Sequence, residues 1–280
     1  MSIPFNIKDD YWSDIHPGMS SRIKHRLILV RHGESTSNAE LTLTGQTTEY
    51  AIDHALTDIG KEQAQDVAIF LESKGISYID RIEISPLDRA VQTAIPTLNK
   101  LYEGVIYDED MKLLEWIEPP IITIDYLLRE KYTKSSYWCT KPNKIFNSKQ
   151  NKIFNSNPSD MDTYTYTYTY TYTNFDEKNG CIEKDGQWLR MPDDNFNKRV
   201  DNLLQNWKTI GVIGGRTQTL VFTHSQLISQ FLSSDSDRFF HLANGSISII
   251  DIDENNQLHI QVANYTKHLK NPTGMHTCIF

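Results

Sequence analysis

The segment Arg26-Leu27-Ile28-Leu29-Val30-Arg31-His32-Gly33 limits the fold more than any other part of the chain. Four consecutive apolar residues, Leu27 to Val30, fit a short strand buried on both faces, the kind found inside a mostly parallel sheet that is covered on both sides. An arginine and a histidine follow at once, so the strand ends at an edge that carries polar chemistry. The same change of character recurs where Thr219-Leu220-Val221-Phe222-Thr223 runs into His224.

Helical stretches separate the strands. Residues 57–74 have Thr57 as a cap for free amides, Asp58 in the first turn and Gly75 as a stop, with Ile59, Ala64, Val67, Ala68 and Leu71 lining one face. Residues 81–85, Arg-Ile-Glu-Ile-Ser, form a second strand. The helix after it has Ser85 as cap, Pro86 at its first position and Asp88 in its first turn, and Pro96 predicts a kink or an early end. Residues 104–110, Gly-Val-Ile-Tyr-Asp-Glu-Asp, read as the third strand. Strand, helix, strand, helix, strand is the order of an α/β domain with right-handed crossovers. Later, Phe196, Val200, Leu203, Leu204 and Trp207 share one helical stripe, and two alternating strands flank Glu254-Asn255-Asn256 as a hairpin.

The expected fold is therefore α/β, a three-layer sandwich with a mostly parallel central sheet flanked by helices. An N-terminal arm over 1–24 precedes a single domain over 25–280. Low-complexity sequence interrupts that domain at about 131–185: Asn-Lys-Ile-Phe-Asn-Ser occurs twice, and residues 163–173 alternate Thr and Tyr. A solvated insert is the favoured reading of this segment, with a hairpin or sheet edge as its alternative.

Charge and composition remove several function classes. The net charge of -8 argues against nucleic-acid or anionic-membrane binding over the whole surface, so an anion site must be local. No apolar run reaches the length of a membrane helix. The first residues carry acids and aromatics where a secretory signal would have a basic end and an apolar stretch, which predicts an intracellular, cytoplasmic protein. Cys139, Cys181 and Cys278 have no disulfide or CxxC spacing, and the histidines outside the strand ends show no metal-ligand spacing. No metal and no cofactor are expected.

His32 and His224 each end an apolar strand, and Arg89 sits early in the helix after another. Ligands bind at the carboxyl edge of open α/β sheets, so these distant residues can converge there. The types suit a phosphoryl group: arginine offers paired planar donors to phosphate oxygens, and a neutral imidazole can attack phosphorus. Arg31, Arg89 and a protonated His224 would hold the His32 pKa down and keep it nucleophilic, while Gly33 removes bulk where the phosphoryl group approaches.

The segments "LVRHGESTSN", "ALTDIGKEQA", "SPLDRAVQTA", "LLEW" and "VFTHS", in that order and with "NGSISII" after them, resemble the histidine phosphatase, or phosphoglycerate mutase-like, superfamily. The resemblance covers most of 25–118 and 190–265. It implies a phosphoglycerate mutase-like fold, His32 as the phosphorylated nucleophile, and Arg31, Arg89 and His224 around the phosphoryl group. It further implies Glu115 as proton donor to the leaving oxygen and then as base for water; Glu118 and Asp108 lie nearby in the chain, and either could take the acid role. Asn38 matches a position near the phosphate, and Ser225 can present its amide there.

The expected function is metal-independent phosphomonoester hydrolysis through a phosphohistidine on His32, acting on a small phosphorylated substrate or a phosphoprotein. A mutase must shield the phosphohistidine from water with an ordered cap, and the repetitive, polar centre of the chain is ill suited to one. Phosphoglycerate mutase-type transfer and a silent phospho-ligand binding module are the alternatives.

Overall fold

A computed structural model of the chain describes residues 22–44, 53–74, 79–103, 120–131, 138–139, 170–173, 181–184, 187–190, 196–210, 217–233 and 241–274. In chain order the elements are β1 (Ile23–Arg31), α1 (Thr36–Thr44), α2 (Asp58–Ser73), β2 (Arg81–Ile84), α3 (Asp88–Glu103), β3 (Ile121–Asp125), β4 (Trp138–Cys139), β5 (Tyr170–Thr173), β6 (Cys181–Lys184), β7 (Gln187–Arg190), α4 (Phe196–Ile210), β8 (Thr217–Thr223), α5 (Ser225–Leu232), β9 (Ile247–Asp253) and β10 (Leu258–Tyr265). Among the described residues no helix is long and apolar enough to cross a membrane.

The run beginning at Leu27 lies in the interior of a seven-stranded sheet in the order β10-β9-β1-β8-β2-β3-β5. β1, β8, β2, β3 and β5 pair in parallel, while β9 and β10 close one side antiparallel. Alternation along β1 feeds both faces. Ile28 and Val30 pack with Val67 and Leu71 of α2 and Val91 and Leu98 of α3, whereas Leu27 and Leu29 pack with Phe196, Leu203 and Trp207 of α4 and Leu227 and Phe231 of α5. Two helical layers around one sheet give the expected three-layer α/β sandwich. A small sheet, β4-β7-β6, is formed from the chain between β3 and α4.

One charged pair crosses the sheet core. Arg26 and Asp251 are register partners on β1 and β9, and the guanidinium clamps the carboxylate through Nε–Oδ1 at 2.7 Å and Nη2–Oδ2 at 2.8 Å. Both side chains are buried, so each charge depends on the other.

Local structure departs from expectation at several points. Thr57 does cap α2, accepting from Gly60 N at 3.0 Å, but Ile59 is 40% exposed; Gly60 and Gln63 take the buried positions in the helix's first turns. α3 begins at Asp88 rather than Pro86, and the Asp53 carboxylate, not Ser85, binds the Asp88 amide at 2.9 and 3.0 Å. The helix also continues past Pro96 to Glu103. The expected strand at 104–110 lies outside the described residues; β3 is instead Ile-Ile-Thr-Ile-Asp, beginning just after Pro119 and Pro120. Part of the Thr–Tyr repeat is not a solvated insert: Tyr170–Thr173 forms β5, parallel to β3 at the edge of the main sheet.

Candidate active site

The two histidine-bearing strands are hydrogen-bonded neighbours, and their register brings the chemistry together. β1 and β8 pair to Arg31↔Thr223, His32 N donates to Thr223 O at 3.0 Å, and the next residue on β8 is His224. The two imidazoles are buried with ring centroids 5.1 Å apart and planes tilted by 59°. β2 lies on the other side of β8, so the chain that leaves it brings Arg89 to the same edge.

His32 has a defined tautomer. Its Nδ1 faces Gly33 O at 2.7 Å, and because a carbonyl can only accept, Nδ1 carries the proton and Nε2 the lone pair. Arg89 Nε donates to that Nε2 at 3.2 Å. Burial above all, then Arg89 and Arg31, holds the His32 pKa well below its ordinary value, with the Gly33 bond opposing. The imidazole is therefore neutral, with its lone pair beside a fixed cation. Thr93 ties the two residues' backbones together, accepting from Gly33 N at 2.9 Å and donating to Arg89 O at 2.7 Å.

Arg31 is also buried, and its Nη1 donates to Leu242 O. Burial lowers its pKa to about 10, with Arg89 adding to the shift and Glu130 opposing it. Gly274, at φ +73, passes so close that a Cβ there would lie 3.1 Å from Arg31 Nη1.

Gly33 is needed for a reason the sequence did not show. A Cβ at Gly33 would lie 2.4 Å from Gly60 O, and one at Gly60 would lie 2.1 Å from Glu34 O. The glycine pair lets the first turn of α2 dock directly on the loop that follows His32. The close approach is thus backbone to backbone.

His224 is held through one ring nitrogen and turns the other toward Glu130. Nε2 lies 2.7 Å from Ser85 Oγ, which gives Ser85 its role at the end of β2, and Nδ1 lies 3.9 Å from Glu130 Oε2. Glu130 was not singled out in the sequence. It follows β3, its side chain is 20% exposed, and its carboxylate reaches the edge where both histidines stand. Its backbone is clamped: Arg199 Nη1 of α4 donates to Leu127 O and Arg129 O, both at 2.6 Å, Arg199 Nη2 donates to Glu130 O at 3.4 Å, and Thr223 Oγ1 donates to Leu128 O at 2.7 Å.

The structure thus gathers Arg31, His32, Arg89 and His224 as expected and adds Glu130. Glu115, Glu118 and Asp108 lie outside the described residues. Asn38 is engaged locally, its Oδ1 accepting from Ser35 N at 3.2 Å and from Ser35 Oγ at 3.0 Å. Ser225 opens α5, and its Oγ accepts from Leu242 N at 3.4 Å, bracing the residue whose carbonyl receives Arg31. His54 adjoins the site as well: it is buried, bonded through Nδ1 to Thr36 Oγ1 at 3.1 Å, and its pKa is lowered by burial and then by Arg89.

Residues 27–131 match the model of the histidine phosphatase superfamily, branch 1. The matched stretch contains Arg31, His32, Arg89 and Glu130. Among solved structures, a phosphoglycerate mutase of Bacillus anthracis str. Sterne is similar over 89% of this chain and 96% of its own, with 15% identity and a TM-score of 0.50. A mycobacterial glucosyl-3-phosphoglycerate phosphatase, solved with VO3, is similar over 86% of this chain and 99% of its own, with 14% identity and a TM-score of 0.50. Both share the phosphoglycerate mutase-like fold.

Proposed function

We propose that the protein hydrolyses phosphomonoesters through a phosphohistidine on His32. The observation that carries this reading is the His32 ring: proton on Nδ1, lone pair on Nε2, and an arginine donor at that lone pair. A phosphate brought to this edge meets a neutral nucleophile flanked by two guanidinium groups. As Nε2 forms its bond to phosphorus, the ester oxygen departs in line, and the Arg89 donor is released from Nε2 to serve a phosphoryl oxygen. Arg31 and His224 bear on the same charge.

The leaving oxygen needs a proton, and Glu130 is the described carboxyl placed to give it. After the alcohol departs, the Glu130 carboxylate takes a proton from water. The oxygen of that water attacks phosphorus, the P–N bond breaks, and inorganic phosphate leaves with His32 restored. Glu130 stands here in place of Glu115, which the resemblance suggested for the same role.

Hydrolysis is favoured over a mutase on the sequence of residues 131–185, whose repetitive, polar run is ill suited to an ordered cap that excludes water. The two similar structures carry one name of each kind, a mutase and a phosphatase, and at such identities they bear on the fold alone. The substrate class is a small phosphorylated molecule or a phosphorylated side chain. The test is phosphate release from a panel of phosphomonoesters, 3-phosphoglycerate included, by wild type and His32→Ala without added metal. Release lost in the variant is the expected result; no release from any ester by folded wild type overturns the reading.

A further inference from the structure

His32, Glu130 and His224 come from the ends of three strands far apart in the sequence, which is why no ligand spacing announces them. Their ligand atoms nevertheless all lie within 4.8 Å of one another. Two imidazoles and a carboxylate form a donor set that zinc and its neighbours prefer.

The surroundings suit such an ion. Metal-binding imidazoles usually have their second nitrogen fixed by an outer partner, which sets the tautomer and aims the ring. Both do here: His32 Nδ1–H donates to Gly33 O at 2.7 Å, and His224 Nε2 lies 2.7 Å from Ser85 Oγ. That leaves His32 Nε2 and His224 Nδ1 as the ligand atoms, the latter 3.9 Å from Glu130 Oε2. Bonds of about 2.1 Å to a tetrahedral ion bring its donors to roughly 3.4 Å apart, so separations of up to 4.8 Å must close by up to about 1.4 Å. The partly exposed Glu130 side chain is the element able to move that far.

Arg31 and Arg89 oppose a dication, and Arg89 Nε must give up its bond to His32 Nε2 at 3.2 Å. The site is therefore weaker than a structural zinc centre, and it uses the same lone pair as phosphoryl transfer. We infer that a divalent transition-metal ion of the zinc type binds His32, Glu130 and His224 and excludes the phosphoester, making such ions inhibitors that act within the active site. The inhibitory consequence rests on the hydrolytic reading above; the binding does not.

The test measures the two separately on the metal-free full chain. Zinc is titrated against a chromophoric chelator with wild type, Glu130→Gln and His224→Gln, and circular dichroism reports folding of each. One ion per chain is expected, with affinity falling at least about tenfold in each variant and in the presence of inorganic phosphate. Absence of binding at submillimolar zinc, or equal affinity in a folded Glu130→Gln protein, overturns the site. Where wild type releases phosphate, zinc is expected to inhibit competitively with the ester and chelator to restore activity; bound zinc with undiminished release overturns the inhibition. A protein that hydrolyses nothing yet shows variant-sensitive binding would retain the metal site while losing the phosphatase assignment.

Discussion

The Nε–H of Arg89 points at Nε2 of His32 across 3.2 Å, so the same guanidinium that would receive a phosphoryl oxygen also keeps the nucleophile unprotonated. The nucleophile's pKa lies below its ordinary value, so it remains neutral as pH falls through the usual histidine range. The acid limb of kcat/KM attributable to His32 is then expected well under that range. Replacing Arg89 with Leu removes one of the causes and should shift the limb upward, in addition to lowering the rate by about 10²-fold or more for the lost phosphate donor. A pH–rate profile of both proteins measures the shift, and an unmoved limb contradicts the coupling.

Glu130 and Glu115 compete for the role of acid, and leaving-group chemistry separates them. An ester of a poorly acidic alcohol needs protonation as its bond breaks, whereas a nitrophenyl ester does not. Glu130→Gln should reduce kcat for alkyl phosphates by about 10²–10⁴-fold and affect p-nitrophenyl phosphate far less. Glu115→Gln should show no such contrast. The reverse pattern returns the acid to Glu115.

Arg199 fixes the carbonyls of Leu127, Arg129 and Glu130 through three hydrogen bonds. It is a positioning residue for Glu130. Arg199→Met keeps an unbranched aliphatic stem and removes the clamp together with the guanidinium that lies over Phe196. The expected outcome is the leaving-group contrast of Glu130→Gln in weaker form, with KM nearly constant. Equal loss on both ester types would mean that the substitution acts through folding alone.

What the sequence showed, and what it hid, follows from where each signal resides. β1 and β8 were legible because apolar runs of four and three residues, Leu27 to Val30 and Leu220 to Phe222, give way abruptly to Arg31-His32 and Thr223-His224, and a buried parallel strand has no alternation to confuse. α2 was legible through Thr57, although Ile59, apolar and near the right phase, proved exposed because the helix docks there through Gly60. Glu130 was hidden because β3 follows two prolines and is only five residues long, so the strand went unread, and with it the meaning of the residues at its carboxyl end. The packing of Gly33 on Gly60 was hidden, since a contact between backbones 27 residues apart leaves no periodic trace. The Thr–Tyr repeat combines β propensity with polarity, and only an unpaired edge of β3 decides between them.

The Gly33–Gly60 approach gives a direct prediction. Gly60→Ala places a Cβ 2.1 Å from Glu34 O and Gly33→Ala one 2.4 Å from Gly60 O, and in both the obstructing atom is backbone, which has no rotamer to yield. Overpacking of this kind costs about 1–3 kcal/mol and sometimes more. Thermal melts should show both variants destabilised, and activity should fall beyond what the stability loss explains, because the displaced loop carries His32. A Gly60→Ala protein with wild-type Tm and rate contradicts the packing.

Glu83 supplies a test of how α4 is anchored. Its carboxylate, 5% exposed, accepts from Trp207 Nε1 at 2.8 Å. Burial pushes its pKa up and Asp125 adds to the rise, against the opposing Trp207 bond and Arg81. A carboxyl with a raised folded pKa binds more protons folded than unfolded, so its contribution to stability declines as pH rises from the ordinary glutamate range through the folded value. Glu83→Gln retains an oxygen acceptor for the indole and removes the buried charge. At neutral pH the variant is therefore expected to melt no lower than wild type, and its advantage should shrink as the pH is lowered and wild-type Glu83 takes up its proton. A variant that melts lower than wild type at neutral pH and recovers in acid would show instead that the charged form, through Trp207 and Arg81, is what holds α4 to the sheet.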